Sequence, residues 1–108
     1  MNTRASNLYI GNPNESSDST ADSQRLSAVT GSGTAAFSAF HEDTDYVVID
    51  VQDNNVIVTF DGQEATSSHG HVLVKEQGLI VLSKNAAKAA KFRGISGTSI
   101  IFASQFVD

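Results

Sequence analysis

The chain has no cysteine, no tryptophan, one proline and one methionine in 108 residues. Without cysteine there is no disulfide framework and no zinc–thiolate site. Basic residues are scarce: 7 against 12 acidic ones, for a net charge of −5. A general nucleic-acid binder needs a basic footprint, so that class is set aside. No apolar run approaches the roughly 20 residues of a membrane helix, so no membrane partner is expected. The start carries Arg4 but no apolar leader segment, so no signal peptide is expected. The length suits one domain with one hydrophobic core. What remains is a soluble, cytosol-made, β-rich module.

The apolar residues before position 25 are few: Met1, Ala5, Leu8, Tyr9, Ile10 and Ala21. The stretch 12–23 reads NPNESSDSTADS and cannot offset its own ordering entropy. Residues 1–23 therefore read as an extended arm, with room for a short strand at 7–10. The alternative is a loose terminus of no consequence. Leu8, Tyr9 and Ile10 form an apolar cluster that favours contact with something, so they are interface candidates.

Residues 24–108 read as the folded body. Strand signals come at short intervals: Leu26–Val29, then Thr34–Phe40, then Asp45–Gln52. Asn55–Phe60 (NVIVTF) has period two. The Asp53-Asn54-Asn55 turn between these last two runs predicts a β-hairpin. Val72–Lys75 and Leu79–Leu82, joined by Glu76-Gln77-Gly78, predict a second one. Ser83 is placed to N-cap the alanine-rich run KNAAKAAK. So short a helix must dock, with Phe92 and Ile95 as its anchors. Gly94 and Gly97 mark a turn, and Thr98–Val107 predicts a long closing strand. Seven or eight strands, one short helix and no βαβ alternation predict an all-β chain. The expected architecture is an antiparallel β-sandwich, jelly-roll-like, with a small closed barrel as second choice.

Chemistry-bearing residues are sparse. On a strand His69 and His71 would face the same way and are the weak metal candidates. A third ligand would come from His41, Glu42 or Asp43. Asp53 and Asp61 sit where aspartate serves turns, and Asp50 reads as a solvent-face strand residue. Gly31-Ser32-Gly33-Thr34 resembles a piece of a phosphate loop but lacks its lysine. No GxSxG elbow occurs. No catalytic residue and no cofactor is expected, and the chain reads as a non-enzyme. Charge is polarised: residues 1–83 hold 11 acidic and 3 basic side chains (−8), residues 84–108 hold 1 and 4 (+3). Lys84, Lys88 and Lys91 are spaced to share one helix face, as a basic interface candidate or a solvated face.

From Asp45 onward the chain has a cadence: YVVIDVQDNNVIVTFDGQEATSSHGHVL, a small hairpin, then LSKNAAKAAKFRGISGTSIIFASQF. It resembles small virion proteins of tailed bacteriophages over residues 45–108, slightly over half the chain. The corresponding positions are Phe60-Asp61-Gly62, Gly70-His71, Phe92 and the closing strand. The resemblance implies a jelly-roll-like sandwich without catalysis, in which these positions define the fold. It implies a virion location, either as a capsid decoration (cement) protein or as a neck, tail or fibre accessory. The implied partner is a major capsid protein or another virion protein. Open sheet edges and a small core add an expectation of self-association as a trimer or dimer. A carbohydrate-binding module is the remaining alternative, weakened by having only Tyr9 and Tyr46 beside the phenylalanines.

Overall fold

A computed structural model describes residues 11–14, 22–30 and 34–107. Eight strands and one helix occur among them. The strands are β1 (Asn12–Pro13), β2 (Ser23–Ala28), β3 (Tyr46–Gln52), β4 (Val56–Thr59), β5 (His71–Leu73), β6 (Ile80–Ser83), β7 (Lys91–Gly94) and β8 (Ser99–Val107). Helix α1 spans Lys84–Ala89. The strands form two antiparallel sheets. One has the order β1-β8-β3-β6, with β2 also on β8; the other has the order β5-β4-β7. The chain is thus mostly β, with one short helix, as its residue pattern predicts.

β3 and β8 are the centre of the larger sheet, paired from Tyr46↔Phe106 to Gln52↔Ile100. Their alternate residues Val47, Ile49, Val51, Ile101 and Ala103 point into the core. Val56 and Val58 of β4 and Phe92 of β7 meet them from the smaller sheet, with Phe40, Ala87 and Ala90 closing the ends. Phe92 is fully buried and meets Phe37 edge-on at 5.4 Å between centroids. Ring pairs of this kind add to the apolar burial itself.

Both predicted hairpins are absent. β3 and β4 are consecutive, yet each joins a different sheet. A tight two-residue hairpin turn of the commonest type needs positive φ at both central residues. Here only Asp53 has it, at 76°. The next two residues are drawn elsewhere. Asn54 Nδ2 donates to the Thr98 carbonyl at 2.9 Å, and Asn55 Oδ1 accepts from the Lys75 N–H at 2.9 Å. These bonds turn the chain out of one sheet and into the other. β5 and β6 are divided in the same way. Between them the Glu76 N–H donates to the Val51 carbonyl at 3.1 Å, which lays the connection along β3.

Thr34–Phe40 also departs from its expected strand. Only Ala35 bridges, to Phe92; the rest is irregular. Phe37 and Phe40, on opposite faces of a regular strand, here both turn toward the core and lie 5.8 Å apart. The helix starts as predicted: Ser83 Oγ accepts the Ala86 N–H at 3.1 Å. Fully buried Ala87 and Ala90 dock it, together with Phe92. Ile95 is exposed and anchors nothing, because the turn after β7 carries it outward.

Candidate functional site

The residues with most chemical character gather where β4 ends and β5 begins. Thr59, Phe60, Asp61, His69, Gly70 and His71 line an open cleft of about 380 Å³. Asp61 turns the chain by accepting the Gln63 N–H at 3.0 Å, the local bond expected of aspartate in a turn. Its other carboxylate oxygen meets His69 Nε2 at 2.9 Å. The Gln63 N–H, followed by His69, holds the Asp61 carboxyl below its ordinary value of 3.8. Thr66 and His69 bridge each other through their backbones, which closes the loop and aims the imidazole back at Asp61.

Gly70 makes the close approach possible. Its φ is 139°, and a Cβ there would lie 2.3 Å from Ile57 Cγ2. Only glycine fits both the dihedral and the space. His71 follows as the first residue of β5, its ring 6.3 Å from that of Phe60. So Phe60-Asp61-Gly62 and Gly70-His71 form one contiguous corner. His69 lies before the strand rather than on it, and its ring is bonded to Asp61. Among the described residues no three His, Cys, Asp or Glu side chains come together in a way that could hold a metal ion. The predicted third ligands are elsewhere; His41 is fully buried, with Nε2 2.7 Å from Asp22 Oδ1.

The three lysines do not share a helix face, because α1 ends at Ala89 and Lys91 belongs to β7. Lys84 Nζ donates to the Glu42 carbonyl at 2.6 Å. Lys91 Nζ lies 3.3 Å from Glu64 Oε2 and also donates to the Gly62 carbonyl. The Thr34 hydroxyl, then Lys91, hold the Glu64 carboxyl below its ordinary value of 4.5. Two of the three candidate lysines thus fasten the protein to itself. Lys88 stays exposed in the last turn, where its charge suits the helix terminus. Leu8, Tyr9 and Ile10 lie outside the described residues.

A second cluster escaped the sequence reading. Gln105 on β8 is buried, and its Oε1 accepts the His41 N–H at 2.7 Å and the Thr44 hydroxyl at 2.6 Å. Asn14 is buried beside it. Its Nδ2 donates to Thr44 Oγ1 at 2.7 Å and to Asp43 Oδ1 at 3.0 Å, while its N–H donates to the Gln105 carbonyl. Asp22 joins through His41. Every described residue of the expected arm 1–23 is therefore joined to the body: Gly11, Asn14 and Asp22 through hydrogen bonds, and Asn12, Pro13 and Ser23 by pairing with β8. Nothing in an isolated Asn or Gln signals this; Gln105 bonds His41, 64 positions away, and Asn14, which is farther off still.

The cleft is an exposed corner with an Asp–His pair, and the network is a buried clamp on the start of the body. Comparison with family models, curated proteins and solved structures found no match.

Proposed function

We propose that the chain is a non-enzymatic structural protein of a tailed-phage virion, a head decoration (cement) protein that binds and stabilises the capsid. In this reading the two sheets form a jelly-roll-like sandwich. The observation that carries it is the apolar edge around β5. Val72 is 57% exposed, Val74 49% and Leu79 44%, within eight positions of one another. Lone exposed apolar residues are ordinary, but three within one short stretch that links the last strand of one sheet to the last strand of the other suit contact with another protein. Each sheet ends on this part of the chain, one at β5 and the other at β6. Weak contacts of this size gain strength when many copies sit on one symmetric shell.

The clamp around Asn14 and Gln105 suits the same role. It fixes the point where the arm leaves the body, so whatever the arm contacts is held at a set position. Self-association as a dimer or trimer belongs to the proposal and uses the same open edges.

The test is binding of the intact protein to expanded empty capsids, with copies per particle counted by quantitative mass spectrometry. Copies in the hundreds support decoration. A single ring's worth moves the protein to the neck, tail or fibre. Absence of binding removes the virion reading.

A further inference from the structure

β6 ends the larger sheet, and its far side is bare. The Lys84 N–H donates to the Asp45 carbonyl at 3.3 Å, and the Glu76 N–H to the Val51 carbonyl at 3.1 Å. Odd-numbered residues of β3 therefore turn their backbone groups toward β6, where Val47 meets Leu82 and Ile49 meets Ile80. Backbone groups alternate in direction along a strand, so Leu79 and Val81 turn theirs to the open side. Among the described residues no strand pairs there, and no other group bonds to them.

Other sheet edges are covered differently. Ala35 exchanges backbone bonds of 2.8 Å with Phe92 on β7. Gln24 Oε1 on β2 accepts the Ser38 N–H at 2.9 Å. Just past β5, Gln77 Oε1 accepts the Val74 N–H at 2.6 Å. An uncovered edge is a template for another strand, and proteins blunt the edges they do not use. β6 has no such cover, and its open side is flanked by two apolar side chains, Leu79 and Val81, each 44% exposed.

We propose that β6 pairs antiparallel with β6 of a second copy, with Leu79 of each copy opposite Val81 of the other. In this register Leu79 and Val81 exchange both N–H···O=C bonds across the contact, which satisfies the backbone groups left open. Their side chains share one face and cover each other, as cross-strand pairs do. The same spacing sets Glu76 of one copy opposite Lys84 of the other. Lys84 Nζ is held by a neutral carbonyl, that of Glu42, so its charge is free to meet the Glu76 carboxylate. The contact is twofold and closes on itself, so it yields a dimer. The inference rests on the self-association within the proposed function and names its edge, register and symmetry. Val74 belongs to the same region through its bond to Gln77, so Val74→Lys sets a like charge near Lys84 of the other copy.

The test is sedimentation of the intact protein and of two double variants, each checked for a parent-like unfolding midpoint. The parent is expected as a dimer. Leu79→Lys with Val81→Lys sets like charges opposite each other, and the dimer should be lost. Leu79→Glu with Val81→Lys sets opposite charges in those places, and the dimer should be kept. The chain has no cysteine, so Ile80→Cys offers a single thiol. That position faces its own copy across the twofold axis at about 4.5 Å between Cα atoms, within disulfide reach. Oxidation should link the dimer covalently. A parent that sediments as a monomer overturns the self-association reading and this inference together. A trimer, a dimer that survives the paired lysines, a dimer that the Glu–Lys variant loses, or a dimer that Ile80→Cys does not link overturns this inference alone.

Discussion

At Asp61 two hydrogen bonds hold a carboxylate in its charged form. Its folded pKa is below the ordinary 3.8, so its stabilising effect is present above that value. The effect is lost as the pH falls through the lower, folded value. Asp61→Asn should therefore unfold at lower urea than the parent at about pH 5, and the two should converge toward about pH 2. Urea titrations across that range check this. Gly70→Ala forces both an unfavourable φ and a clash with Ile57. A loss of about 1–3 kcal/mol is expected in the same assay. Asn14→Ala strips partners from Thr44 and Asp43 and leaves the Gln105 cluster incomplete. The cost expected for such a buried group is about 1–3 kcal/mol, with the start of the chain loosened first. Amide exchange at Gly11 to Asn14 reads the second effect. Of these residues, Asp61 was legible, because an Asp-Gly turn announces itself locally. Gln105 was not, because its partners are long-range and its strand neighbours give it no pattern.

Among the elements, those defined by their own residues were legible and those defined by pairing were not. Ser83 before an alanine run marks a helix start, and β8 follows from its long β-branched and aromatic stretch. Ser83→Ala should lower stability by about 1 kcal/mol through loss of the cap. The hairpins failed for a physical reason. Two apolar runs and a polar turn look alike whether the strands pair with each other or part at a corner. The deciding groups were the side chains of Asn54 and Asn55, bonded to residues far along the chain. Lys91 shows the same limit: its spacing from Lys88 suits a helix, but buried Phe92 beside it draws the chain into β7. The open edge at β5 makes its own prediction. Val72→Lys with Val74→Lys should abolish self-association in sedimentation while leaving the unfolding midpoint near that of the parent. An unchanged association state would move the contact elsewhere.

For the whole molecule, two small sheets share one core, and Phe92 sits where they meet. Phe92→Ala should cost about 3–5 kcal/mol, enough to unfold a marginal domain of this size. The charge polarity of the sequence is partly used within the protein, since Lys91 pairs with Glu64, and Lys84 and Lys91 also donate to the backbone carbonyls of Glu42 and Gly62. The exposed apolar edge and the clamped arm therefore carry more of the functional proposal than the lysines do. The most direct test of the proposed role mixes the intact protein with expanded empty capsids of a tailed phage, then sediments them and counts the copies retained. The account predicts saturable binding with hundreds of copies at symmetry-related positions. Capsids that sediment without the protein at every concentration would contradict it.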